Sequence, residues 1–153
     1  MPFQKQVNLQ QAPAVEGDFA TSNPRSSVVA PESGFVAGED GVIVGRFAWV
    51  QEDGVTVLNS GTGKPDGFVH REQQGLISTY LAESSMTIPQ GFAVTLQRTG
   101  DYFVKATGAA AERGQPAFAD PATGEVSFGG TGVETDFVCS QACGADELAV
   151  ITF

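Results

Sequence analysis

Hydrophobic positions along this chain come in short runs, and most of the runs alternate. In Val42-Ile-Val-Gly-Arg-Phe-Ala-Trp-Val50, one face of an extended strand would carry Val42, Val44 and Arg46. The opposite face would carry Ile43, Gly45, Phe47 and Trp49, because successive side chains of a strand point to opposite sides. Tyr102, Val104 and Ala106 alternate in the same way with Phe103 and Lys105. Runs of this kind, rich in Val, Ile, Phe and Thr, predict strands over 34–37, 42–51, 55–59, 67–71, 87–88, 93–98, 102–106, 117–119, 125–128, 136–139 and 148–153. Between them stand turn signals such as Asp40-Gly41, Asp53-Gly54 and Asp66-Gly67, where glycine accepts a positive φ at little cost. Asp120-Pro-Ala-Thr-Gly124 separates two short apolar runs as a hairpin loop would. A helical stripe fits one segment, 71–83, through Leu76, Ile77, Tyr80 and Leu81, and an extended loop fits it equally.

Many short strands at near-regular spacing imply a mainly β fold, as a single domain with a jelly-roll-like sandwich or a small barrel. The size agrees, since 153 residues suit one domain. Residues 1–27 differ from residues 28–153, with isolated apolar positions and no sustained period. They read as an extended N-terminal arm, either frayed or ordered against a neighbouring subunit. No apolar stretch approaches the 18 residues of a membrane span, and the N-terminus lacks the apolar core of a signal peptide. With two cysteines and no disulfide framework, folding in a reducing cytoplasm is expected.

Charge narrows the partners. Eighteen acids against eight bases give a formal charge of −10, which disfavours nucleic acid, whose affinity comes from basic groups displacing counterions. Residues 101–153 hold eight acids and two bases, so the C-terminal third calls for a basic partner surface.

Catalytic and metal motifs fail on inspection. His70 is the single histidine, and no G-x-S-x-G elbow accompanies it. Gly61-Thr-Gly63-Lys64 lacks the earlier glycine and the following Ser or Thr of a phosphate loop, and reads as a turn. Cys139-x-x-x-Cys143 with His70 makes a poor zinc set. No catalytic residue, metal or cofactor is therefore assigned, and binding is the expected mode of action.

The residues themselves then resemble a known family. Ala14-Val-Glu-Gly-Asp-Phe-Ala-Thr-Ser-Asn-Pro-Arg25, Val44-Gly-Arg-Phe-Ala-Trp49, Gly67-Phe-Val-His-Arg-Glu-Gln-Gln74 and Ile88-Pro-Gln-Gly-Phe-Ala-Val-Thr-Leu96 resemble the structural cement proteins of tailed-bacteriophage capsids. Gly100-Asp-Tyr-Phe-Val-Lys105 and Gly114-Gln-Pro-Ala-Phe-Ala-Asp120 continue the likeness over about residues 1–130, and the tail with Cys139 and Cys143 departs from it. The resemblance implies a non-enzymatic capsid decoration protein, made in the bacterial host cytoplasm and placed on the exterior of the virion. It would clamp neighbouring capsomers of a major capsid protein of the HK97-like fold, as a homo-oligomer, a dimer first and a trimer second. The alternative is a receptor- or carbohydrate-binding module of a tail or baseplate.

The family supplies no contact set, so the candidate interface comes from the residues. Phe3, Val7, Leu9, Val15 and Phe19 are apolar side chains on an arm without a core of its own, where packing on their own domain competes with contact between subunits. Asn23, Arg25 and the run His70, Arg71, Glu72, Gln73 and Gln74 would form a hydrogen-bonding rim.

Overall fold

A computed structural model describes residues 14–72 and 85–153. Among them the regular elements are all strands: β1 Ser26–Ser27, β2 Phe35–Ala37, β3 Val42–Ile43, β4 Phe47–Val50, β5 Thr56–Leu58, β6 Gly67–Val69, β7 Thr87–Ile88, β8 Ala93–Val94, β9 Leu96–Thr99, β10 Asp101–Lys105, β11 Pro116–Ala119, β12 Val126–Ser127, β13 Val133–Gln141 and β14 Leu148–Thr152. The expected mainly β, single-domain fold is what the chain adopts.

Seven strands line up as β1-β9-β6-β4-β5-β2-β8. Only Thr95 separates β8 from β9, so these two form one extended run that pairs with β2 at its start and with β6 further on. Both flanks of the β2-β5-β4-β6 series therefore meet on the same run, and the sheet closes on itself as a small barrel. Every barrel strand contributes to its interior: Phe35 and Ala37, Ala48, Val57, Val69, Val94 and Leu96 form one buried cluster. Val42 and Val44, on the ribbon that β3 makes with β7, complete it.

The barrel's outer wall meets a second sheet, ordered β10-β14-β13-β11-β12 and antiparallel throughout. Alternation does the sorting here: Ala48 points into the barrel, while Phe47 and Trp49 point out. With Phe68 they pack against Tyr102, Val104, Phe137, Cys139 and Ile151 of the second sheet. The junction is aromatic. Phe68 lies 4.8 Å from Tyr102 and 5.5 Å edge-on from Phe47, centroid to centroid, and Phe47 lies 5.6 Å from Phe137. Such a side chain stabilises by about 1.5–3 kcal/mol on burial.

Two runs read as single strands are broken. The 42–51 run splits at Gly45, whose φ of 77° ends β3 and restarts the chain as β4. The 93–98 run is interrupted at Thr95 where it changes partner. The Gly61–Gly63 turn is a seat for Trp49: a Cβ on Gly61 would overlap the indole, and the Gly63 carbonyl accepts the indole N–H at 3.0 Å. The segment 71–83, which bears the helix-or-loop alternative, lies outside the described residues apart from its first two positions, Arg71 and Glu72.

Candidate functional site

Residues 14–27 lie along the body, turning at Glu16–Gly17, where Gly17 has a φ of 89° and Asp18 donates to the Val15 carbonyl at 3.2 Å. Gly17 donates to the Phe103 carbonyl at 2.7 Å, Phe103 donates to Asp18 at 3.0 Å, and Ala20 donates to Asp101 at 2.9 Å. The strip thus serves β10 as an extra edge, and β1 then pairs with β9 on the barrel. It spans the two halves of the molecule. Phe3, Val7 and Leu9, earlier in the arm, lie outside the described residues, as do Gln73 and Gln74.

Five of the expected interface residues come together where the strip crosses the end of β6. The Arg25 guanidinium sits 3.8 Å over the Phe19 ring, a cation–π contact. On the same aromatic ring, His70 stacks at 4.9 Å and 29°. The Nε2 of His70 lies 3.2 Å from Glu72 Oε1, and its Nδ1 lies 3.2 Å from the Gln97 amide nitrogen. That pairing suits a neutral imidazole carrying its proton on Nε2, with Nδ1 accepting from the amide. Arg71 pairs with Asp18 at 3.1 Å, and its N–H donates to the Gly17 carbonyl at 2.8 Å.

Asn23 anchors elsewhere, donating at 2.6 Å to Asp101, a buried carboxylate that also accepts from Thr21 and Thr152. Val15 stands apart and exposed. Phe19 is the half-exposed member of the cluster, while His70 is only 5% exposed. His70 is therefore a pin inside the fold and no open rim residue, although Glu72 and Arg71 beside it reach solvent.

Burial pulls the His70 pKa below its ordinary value. Glu72 acts against that shift, and the nearby Arg25 charge adds to it. Desolvation raises the Asp101 carboxyl, but three side-chain hydrogen bonds outweigh it and leave the group below the usual carboxylate range. Burial pushes the Tyr102 phenol up to about 12. These are the shifts of groups used to fasten a segment. His70 hydrogen-bonds, among the described residues, to an amide and a carboxylate.

Cys139 is buried in the junction core and Cys143 packs against it, both as free thiols. Burial raises the Cys139 thiol pKa. Among the described residues no three His, Cys, Asp or Glu side chains converge as a metal site would require.

Sequence reasoning passed over Gln97, Asp101 and Tyr102, which hold the strip from the body side. Their partners lie far away in sequence: His70 is 27 residues from Gln97, and Asn23 is 78 residues from Asp101. One clue was present, a glutamine closing the apolar run Ala93–Leu96, whose buried amide needs partners.

Comparison with known proteins agrees with this geometry. Residues 3–153 match the family model described as "XM1 gp53 minor capsid protein", so the match includes the cysteine-bearing tail that the sequence reading set apart. A chain in the solved structure titled "The capsid of Myoviridae Phage XM1" superposes with a TM-score of 0.66 at 17% identity, covering 99% of this chain and 97% of that one. At that identity the likeness is one of fold. No curated protein sequence matches. With all but its first two residues accounted for by one family model, the chain belongs to the XM1 gp53 minor capsid protein family.

Proposed function

We propose that this minor capsid protein is a cement protein. On this reading it binds the exterior of a phage head and clamps neighbouring capsomers of an HK97-like major capsid protein, without enzymatic activity of its own. The observation that carries the reading is the extent of the family match, in which residues 3–153 align with a minor capsid protein family. The construction supports it. Barrel and second sheet share an aromatic junction, and the strip spans both, so a force applied to one half is transmitted to the other.

Clamping needs several weak contacts more than one strong one. A homo-oligomer, dimer or trimer, would present the same patch to each capsomer, and joining two such contacts raises avidity by about 10²–10⁴ without any new contact. Synthesis in the host cytoplasm followed by addition to the head fits two free thiols.

The test is add-back. Heads depleted of the protein are heated with and without the purified chain, and genome release is followed by dye uptake. Cement action raises the release temperature in proportion to occupancy. An unchanged release temperature at full occupancy would leave a capsid-bound protein with some other role.

A further inference from the structure

We propose that residues 14–25 form a strap that opens apart from the rest of the molecule, and that acid opens it by placing a proton on His70 beneath Phe19. The inference does not depend on the cement reading.

The way the strap is held lets it open alone. Among the described residues, none of its side chains belongs to either buried cluster. Val15 is exposed and Phe19 half-exposed, so lifting the strap opens no cavity in a core. Its fastenings are polar: backbone bonds to Phe103 and Asp101, the Arg71–Asp18 pair, and Thr21 and Asn23 donating to the Asp101 carboxylate. A segment with few buried apolar contacts opens at a fraction of the global unfolding free energy.

His70 makes that opening respond to pH. The Phe19 ring carries both the His70 imidazole, at 4.9 Å, and the Arg25 guanidinium, at 3.8 Å. A proton on His70 therefore sets a cation of the body against a cation of the strap at one ring, and the two repel. A protonated imidazole donates from both nitrogens, so Gln97 must turn its amide and withdraw the oxygen to which the Tyr102 hydroxyl donates. Both costs fall on the closed state. Glu72 attracts the proton, but it stands on the body beside His70, half-exposed, and its attraction survives when the strap leaves. The other charged or titratable groups around this contact, among the described residues, are Asp18 of the strap, Arg71 beside His70, and Asp101 and Tyr102 of β10; β9 offers the uncharged Gln97. Burial holds His70 below its ordinary 6.5, and hydrogen bonds hold Asp101 below its ordinary 3.8. Between pH 7.5 and pH 5 Asp101 stays ionised, and the response belongs to His70. The closed strap is fully favoured above about pH 6.5 and loses ground as pH falls.

The test is amide-resolved hydrogen exchange by NMR at pH 7.5 and pH 5, each rate divided by its intrinsic value. Gly17 and Ala20 report on the strap, Val69 on the barrel and Cys139 on the second sheet. At pH 5 protection at Gly17 and Ala20 is expected to fall by at least about threefold and at most about thirtyfold, a ceiling set by the ordinary histidine pKa, with Val69 and Cys139 unchanged. His70→Gln should abolish the difference between the two pH values. Arg25→Gln, which leaves the body intact, should shrink it, and carries the comparison should His70→Gln fail to fold. Strap and body losing protection in step would mean global unfolding and overturn the proposal. Unchanged protection at Gly17 and Ala20 would overturn it too, above all if the imidazole signals of this single histidine titrate meanwhile. A pH response that survives intact in His70→Gln would remove His70 as the trigger and the proposal with it.

Discussion

Replacing Phe68 by Ala tests whether barrel and second sheet form one cooperative unit. Phe68 is fully buried and touches the rings of Phe47, Tyr102 and Phe137, at centroid distances of 5.5, 4.8 and 6.4 Å. Removing a buried phenyl ring costs about 3–5 kcal/mol in lost transfer energy and cavity formation. Because two of its aromatic neighbours belong to the other sheet, the loss falls on the joint between the halves. Urea unfolding followed by the fluorescence of Trp49, the single tryptophan and itself in the junction core, reports on that joint directly. With a slope of about 2 kcal/mol/M, a loss of about 4 kcal/mol moves the midpoint down by about 2 M. The transition should remain single and its slope unchanged. A midpoint shift below about 0.5 M, or two separate transitions in the wild type, would refute the view that the aromatic junction couples the halves.

The remaining predictions concern the strip and the turns. The His70 pKa is lowered in the folded state from an ordinary 6.5, so between those two values the unfolded chain binds the extra proton. Its contribution to stability is therefore complete above about pH 6.5 and is lost as pH falls toward the folded value. The midpoint of thermal unfolding should drop from pH 7.5 to pH 5, and His70→Gln should remove much of that slope. Tyr102 should ionise only near 12, seen as a late phenolate step in an ultraviolet titration; normal titration of both tyrosines would contradict its burial. Gly124→Ala should destabilise by about 2 kcal/mol or more, measured by urea midpoint, since its φ is 69° and the new Cβ would overlap the Phe47 carbonyl oxygen. Asp101→Ala should lower stability by about 2–3 kcal/mol, as loss of hydrogen bonds to a charged group does. It should also speed amide exchange at Gly17 and Ala20, whose partners Phe103 and Asp101 hold the strip to β10; unchanged exchange there would mean that Asp101 does not fasten the strip.

Alternation carried most of the fold into view, because a strand's two faces are sorted by solvent one residue at a time. Val42 and Val44 went to the barrel interior with Ala48, and Phe47 and Trp49 to the junction, as the pattern implied. The interruption at Thr95 was hidden because closure of the barrel is a matter of which strand pairs with which, and no local pattern encodes partner choice. Ser26–Ser27 was passed over for a related reason: two exposed serines have no hydrophobic signature, and they count as a strand only because β9 lies beside them. At the candidate site, Phe19, Arg25 and His70 were legible as chemically unusual residues. Their assembly around Gln97 and Tyr102 was not, since it joins segments that only the folded chain brings together. His70 shows the difference most sharply, chosen as a polar rim residue and found pinned beneath Phe19.

The central claim is that this chain occupies fixed sites on a phage head, and saturation binding measures that directly. Depleted heads are titrated with purified protein, sedimented, and the ratio of bound chain to major capsid protein is read by quantitative mass spectrometry. The account predicts a plateau at a constant ratio set by the symmetry of the shell, the same ratio found in native heads. Binding no greater than that of an unrelated protein of equal charge, or uptake that rises without a plateau, would contradict it.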